Sequence, residues 1–443
     1  MHKYLPHTSL DIEEMLKVIG VNHLDDLFTN IPSNLRFNRE YNIENQLSDI
    51  DVTKRLHQLS KENTVLNIFR GYGAYDVYTP SVIKSLTSRQ EFITSYTPYQ
   101  PEVSQGTLQY IFEFQSMICE ITGMDVTNAS MYDGPTATAE AMFMALAHSK
   151  SKKIVYSETM HPRIIEVLKT YGHFRDVEFV ALKEKNGVTD LSVLDESLTN
   201  AAAVIFQNPN RYGNIENLNG VSDIAKAKQS LFILNACPRS LAILKTPGEL
   251  GADIACGELQ TLGVPLSYGG AYVGYLAAKN HLLRKMPGRI CGVTTDVDGK
   301  RAFVLTLQAR EQHIRRAKAN SNICSNQSLM ALSVAIYLSW VGKYGYQDLA
   351  KYSLNAANYL KKSLLATGLF SEAFSSPHFN EFTLTSNVDP VKFDSYLIEK
   401  GYLGPYAVGD NKFVFAVTEK KSKKEIDEFV KVVGEFKWCT MIN

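Results

Sequence analysis

Residues 202–256 read AAVIFQNPNRYGNIENLNGVSDIAKAKQSLFILNACPRSLAILKTPGELGADIAC. Three short apolar runs punctuate this stretch, at Ala202–Phe206, Leu231–Leu234 and Ile254–Cys256. Runs this short and this uniformly apolar suit strands buried on both faces. A helical stretch, Val221–Gln229, lies between the first two. Working outward, Lys153–Tyr156 and Val177–Ala181 add two more strands of the same kind. His161–Tyr171 and Leu191–Leu198 add helical stretches between strands. This alternation, from Val65 to about Cys324, predicts an α/β fold with βαβ units and a mainly parallel sheet covered by helices.

A chain of 443 residues is too long for one core and implies two or three domains. Residues 1–60 read as a helical arm. Asp11–Ile19 carries Ile12, Met15, Leu16 and Ile19 at helical spacing, with acids in the first turn. Such an arm is too small to fold by itself and is expected to wrap over another domain or a partner. Residues 61–325 form the large domain. Its helix Gly106–Thr122 sets Leu108, Ile111, Phe112, Gln115, Ile118 and Ile121 along one side, most of it core. After Cys324 the pattern changes. Helices are expected over Asn326–Tyr344 and Tyr346–Thr367, the second ending at Gly368. Strand Glu381–Thr385, helix Val391–Lys400, strand Lys412–Val417 and helix Lys423–Phe436 then make residues 326–443 a small C-terminal α/β domain.

Composition excludes several classes. Lys plus Arg equals Asp plus Glu at 46 each, so no net field draws nucleic acid or an anionic membrane. No apolar run reaches the roughly 18–20 residues of a membrane span. The start, MHKYLPHTSL, lacks the apolar stretch of a signal peptide. The six cysteines lie apart without a Cys-x-x-Cys pair, and the ten histidines show no metal-ligand spacing. Reduced thiols in the cytoplasm, with no metal, are the expectation.

Chemistry concentrates in Ser95–Ala141, SYTPYQPEVSQGTLQYIFEFQSMICEITGMDVTNASMYDGPTATAEA. In the loop Tyr96–Glu102, Pro98 and Pro101 fix their own φ and extend Thr97 and Gln100. Such a stiff loop suits either a rigid subunit contact or a reach across an interface into a neighbour's pocket. Asp133 before Gly134 and Pro135 starts a helix. Thr136 and Thr138 then offer hydroxyls to an anion, or Asp133 simply caps. QNPNRYG at Gln207–Gly213 is either a plain turn or a ligand loop past a strand's carboxyl end. Arg310, His313, Arg315, Arg316 and Lys318 form either a solvated helix face or a dock for an acidic carrier protein.

Five stretches together carry a family resemblance: YLPHTSLDIEEMLKVIGV (4–21), GYGAYDVYTP (71–80), Ser95–Ala141, QNPNRYGNIE (207–216) and PGELGADIACGELQTLGVPLSYGGAYVG (247–274). Through them the chain resembles the glycine dehydrogenase (decarboxylating) family, the P-protein of the glycine cleavage system. Within it the chain is most similar to the first subunit of the two-subunit bacterial form. The resemblance implies a fold-type I pyridoxal-phosphate (PLP) transferase architecture. It also marks Gly71–Pro80 as a Gly-rich aromatic active-site strip, with Val77 where family members often carry a polar aromatic or His.

PLP chemistry on an amino acid needs a lysine, an acid for the pyridine nitrogen, and a helix N-terminus with hydroxyls for the phosphate. Counting back from Pro265 and Gly269–Gly270 in the family pattern, the lysine position falls on Gln260. The expected acid after Leu231–Leu234 is replaced by Asn235. Neither amide can do the required work, so this chain is expected to hold no covalent PLP, with Asp133, Thr136 and Thr138 a vestigial phosphate loop. The resemblance further implies a PLP-bearing second subunit in an α₂β₂ heterotetramer. The pair would decarboxylate glycine and pass the aminomethyl group to the lipoyl arm of the H-protein. Tyr96, Tyr99, Gln100 and Tyr75 would then reach across the subunit interface. Two other readings stay open: a self-sufficient PLP decarboxylase or aminotransferase using another lysine, and a structural subunit without catalytic residues.

Overall fold

The computed structural model describes residues 4–37, 39–319, 323, 325–409 and 411–441. Cys324 and the side chains of His313 and Cys439 lie outside the described residues. The chain divides into two compact units, one ending at Thr64 and one beginning at Val65.

The first unit holds helices α1 (Ser9–Ile19) and α2 (Asp49–Lys61). Thr8 starts α1 with a reciprocal cap: its hydroxyl accepts from Asp11 N at 3.2 Å, and its own N–H donates to Asp11 Oδ2 at 2.6 Å. Gly20, at φ 84°, ends the helix in the left-handed conformation that glycine adopts without strain. The unit leaves large apolar side chains in solvent, with Leu10 71%, Val18 88% and Ile50 67% exposed.

In the second unit, the five apolar runs of the sequence become strands of a seven-stranded sheet, joined by Val126–Thr127 and Gly274–Ala278. Its strands are β1 (Val126–Thr127), β2 (Lys153–Ser157), β3 (Glu178–Leu182), β4 (Ala201–Asn208), β5 (Leu231–Ala236), β6 (Ile254–Glu258) and β7 (Gly274–Ala278). Their spatial order is β1-β7-β6-β5-β4-β2-β3. The run from β3 to β6 is parallel, while β7 is antiparallel to both of its neighbours. All six residues of β5 are buried, because helices cover both faces. Helices α3 (Gln105–Thr122), α4 (Gly134–His148), α5 (Pro162–His173) and α6 (Val221–Ala227) supply that cover. Leu108, Ile111, Gln115 and Ile118 of α3 are buried along its predicted stripe.

A hairpin of β8 (Ile290–Thr295) and β9 (Arg301–Thr306) leads to α7 (Ser328–Ala366), broken at Gly342 by φ 60°, ψ −178°. The C-terminal layer is an antiparallel sheet of β10 (Ser371–Glu372), β11 (Glu381–Thr385), β12 (Tyr406–Ala407) and β13 (Lys412–Ala416), in the order β10-β11-β13-β12. Its aromatic core joins Phe382 and Phe415 to Phe393 of α8 (Pro390–Glu399) and Phe429 of α9 (Lys423–Met441). Near the start of the unit, Asn67–Ile68 pairs in parallel with Tyr402–Leu403 as a separate two-stranded sheet.

Candidate functional site

Parallel strands direct their carboxyl ends and the following helix N-termini toward one edge of the sheet, the usual ligand position in such folds. Here the ends of β4, β5 and β6 and the start of α4 enclose a cavity of about 160 Å³. Tyr72, Gly73 and Tyr75 of the strip Gly71–Pro80 and Glu381 of β11 close its other side.

The start of α4 is the phosphate pole of this architecture, and in this chain its own side chains satisfy it. Asp133 accepts from Thr136 N at 2.8 Å and from the Thr136 hydroxyl at 2.8 Å. Thr138 donates to Gly134 O at 2.8 Å and accepts from Asn235 Nδ2 at 2.8 Å. Glu258, at the end of β6, occupies the remaining place. Its carboxyl accepts from Gly134 N at 3.0 Å and from Val273 N at 3.2 Å. Burial pushes this carboxyl up to about 8, against the opposing pull of those amides. The approach requires glycine at 134, since a Cβ there would stand 2.9 Å from Glu258 N.

Gln260, at the expected lysine position, is fully buried. Its carbonyl accepts from Tyr75 N at 2.9 Å, and its amide N–H groups donate to Tyr75 O at 2.8 Å and Val264 O at 2.7 Å. The side chain thus clamps the aromatic strip like a strand partner. The Tyr75 hydroxyl donates to Glu381 Oε2 at 2.7 Å, and Tyr72 N donates to the other carboxyl oxygen. Burial pushes Glu381 up to about 7. A Cβ at Gly71 would meet the Tyr75 ring at 2.6 Å, so glycine permits this closure.

His161 and Arg211 line the far wall. The His161 N–H donates to Gln207 Oε1 at 2.7 Å, and its Nδ1 accepts from Arg163 N at 3.2 Å, capping α5. Burial pushes the imidazole down to about 4, so it is neutral, and the Nδ1 bond assigns its proton to Nε2. The Arg211 guanidinium lies 4.7 Å from the Tyr212 ring centre and donates to the Tyr212 hydroxyl at 2.6 Å. Gln207–Gly213 is therefore both a turn and part of the lining.

These residues do not fit covalent PLP. No amine stands at position 260, Asn235 carries no charge for a pyridinium, and a carboxylate position holds the α4 amide that a phosphate would need.

The other candidate is the loop Tyr96–Glu102. Tyr96 is 77% exposed and Tyr99 49%, and Gln100 is exposed beside them. The buried Arg289 braces the loop from beneath, its guanidinium 5.4 Å from the Tyr99 ring centre. Tyr75 does not join this surface: Gln260 pins its backbone and Glu381 holds its hydroxyl inside the chain's own cavity. The basic stretch forms no single helix face either. Arg310 turns inward to Gly288 O at 3.0 Å, and Arg316 breaks the run at φ 51°. Sequence reasoning passed over Glu258, Glu381 and Arg211. An acid ending an apolar strand was a usable signal for Glu258; Glu381 had none.

Among the described residues no cluster could hold a metal, and no helix is long and apolar enough to cross a membrane.

Comparison with known proteins returns a family description, glycine cleavage system P-protein, over residues 2–433. The chain is 47% identical over 445 residues to the probable glycine dehydrogenase (decarboxylating) subunit 1 of Geobacillus sp. (strain WCH70), covering 98% of this chain and 99% of the relative. It resembles the crystal structure of a glycine decarboxylase (P-protein) of the glycine cleavage system in inhibitor-bound form. That match has a TM-score of 0.90 and 39% identity, covering 98% of this chain and 100% of the other. A glutamate decarboxylase from Lactobacillus brevis, 10% identical at a TM-score of 0.68 over 91% of this chain and 96% of its own, shares the fold alone.

Proposed function

We propose a function that proceeds from one premise: the chain belongs to the glycine cleavage system P-protein family, as a subunit 1. In this reading its partner is a second subunit that holds PLP, and two copies of each assemble as α₂β₂ in the cytoplasm. The pair decarboxylates glycine and passes the aminomethyl group to the lipoyl arm of the H-protein. This chain supplies no covalent cofactor site. It supplies a wall of the partner's site, with Tyr96, Tyr99 and Gln100 on a stiff loop that reaches across and excludes water from the reacting carbon. Arg289 beneath Tyr99 sets the loop's height, which favours ordered contact over a floppy one. Tyr75 contributes from inside, by fixing the strip Gly71–Pro80.

One observation carries the division of labour: an amide, hydrogen-bonded at both its ends, stands where this architecture needs an amine. The test has two arms. The isolated chain, incubated with PLP and reduced with borohydride, is expected to yield no pyridoxyl-lysine; recovery of one would overturn the reading. In the reconstituted pair, Tyr96→Phe and Tyr99→Phe are expected to lower glycine–bicarbonate exchange at least about tenfold. Full exchange in both variants would favour a purely structural subunit.

A further inference from the structure

The cavity beyond Gln260 is smaller than a cofactor. Its roughly 160 Å³ matches a void that holds a molecule of about six heavy atoms. Its wall also carries cationic side chains. Arg211 and Arg163 both line it; Arg163 is exposed to solvent, whereas Arg211 is half-buried and its buried Nε has no hydrogen-bond partner. The two carboxyl groups in the wall are engaged elsewhere, Glu258 with the amides of Gly134 and Val273, Glu381 with Tyr72 and Tyr75. Burial pushes Glu258 up to about 8 and Glu381 up to about 7, so near neutrality neither stands as a full counter-charge to the guanidinium. A cation facing a poorly solvated space attracts an anion strongly.

We propose that this cavity is a binding site for a small carboxylate, paired with the Arg211 guanidinium. The site is additional to the one shared with the partner subunit. A carboxylate matches the planar fork of arginine and carries one charge. Phosphate fits less well, because the α4 amide that would receive it already serves Glu258. Two sources share this chemistry, a simple acid and an α-amino acid whose ammonium faces Glu381, and competition separates them.

The probe is trifluoroacetate, observed by fluorine NMR in solutions of the full wild-type chain. Saturable broadening, reversed by acetate, is the expected result. Reversal by glycine as well assigns an amino acid; reversal by acetate without glycine assigns a simple acid. Arg211→Gln is expected to weaken binding at least about tenfold, as loss of a charge-assisted pair requires. Should that variant fail to fold, crystals of the wild-type chain soaked in dichloroacetate are expected to place the chlorine anomalous signal in this cavity. Absence of saturable binding, reversal by phosphate but not acetate, unchanged binding in Arg211→Gln, or chlorine only elsewhere overturns the proposal. Reconstituted glycine decarboxylation is a separate readout. A chain that supports it without binding carboxylate sinks this inference and leaves the proposed function intact.

Discussion

Gln260 and Glu258 sit two residues apart and together make a structural joint. One clamps the backbone of Tyr75 with its amide; the other brings a carboxyl to the Gly134 amide at the start of α4. Their titration has a measurable consequence. Folded Glu381 and Glu258 are pushed up to about 7 and about 8, from an ordinary 4.5. They therefore hold protons that the unfolded chain has released, and stability declines as pH rises toward those values. His161, pushed down to about 4 from 6.5, works in the opposite direction, but only below about 6.5. Between pH 6.5 and 8 the unfolding free energy is expected to fall by about 2 kcal/mol, mostly through Glu258. Urea titrations across that range check it, and Glu258→Gln should flatten most of the slope. Gln260 was legible in the sequence because an amide cannot do an amine's chemistry. Glu258 was harder to read, since its partner amide lies 124 positions away and only the folded chain brings them together.

Elements announced themselves where local chemistry decides. The Asp133-Gly134-Pro135 start of α4 was readable as a cap, and Asp133 caps it. Asp133→Ala is expected to lower stability by about 1 kcal/mol, the ordinary worth of such a cap, by chemical denaturation. A loss near zero would mean that Glu258 alone satisfies the helix start. The buried strands Ala202–Phe206, Leu231–Leu234 and Ile254–Cys256 were equally plain, because apolar residues at every position leave few alternatives. The strip Gly71–Pro80 was not. It has no periodicity, and its closure depends on side chains from three other segments. That is why Tyr75 was grouped with Tyr96 and Tyr99 as reaching across the interface, although its hydroxyl ends on a buried glutamate.

At the scale of the second unit, no linker separates the sheet layers, and α7 explains why. Its first half places Ala331, Val334 and Tyr337 in the core beside β6 and β7, and its second half places Ala357, Leu360 and Leu364 in the C-terminal core. A helix shared by two cores leaves no Gly/Ser-rich boundary to read. The layers are further joined by the buried pair of Arg239 and Glu419, 4% and 6% exposed. Glu419 also accepts from Tyr78 N at 2.9 Å, and Arg239 donates to the Tyr337 hydroxyl at 3.1 Å. Glu419→Ala leaves a buried guanidinium uncompensated and is expected to lower stability by about 3–5 kcal/mol. Thermal unfolding of the variant checks it; a loss below about 1 kcal/mol would show that the layers stand without the pair. The apolar groups that the first unit leaves in water, Leu10, Val18 and Ile50 among them, bear on how the protein must be made. A polypeptide released from the ribosome with that greasy N-terminal segment bare is a target for chaperones and proteases. On the proposed pairing with a second subunit, synthesis of both together, rather than purification first and mixing afterwards, is expected to spare it.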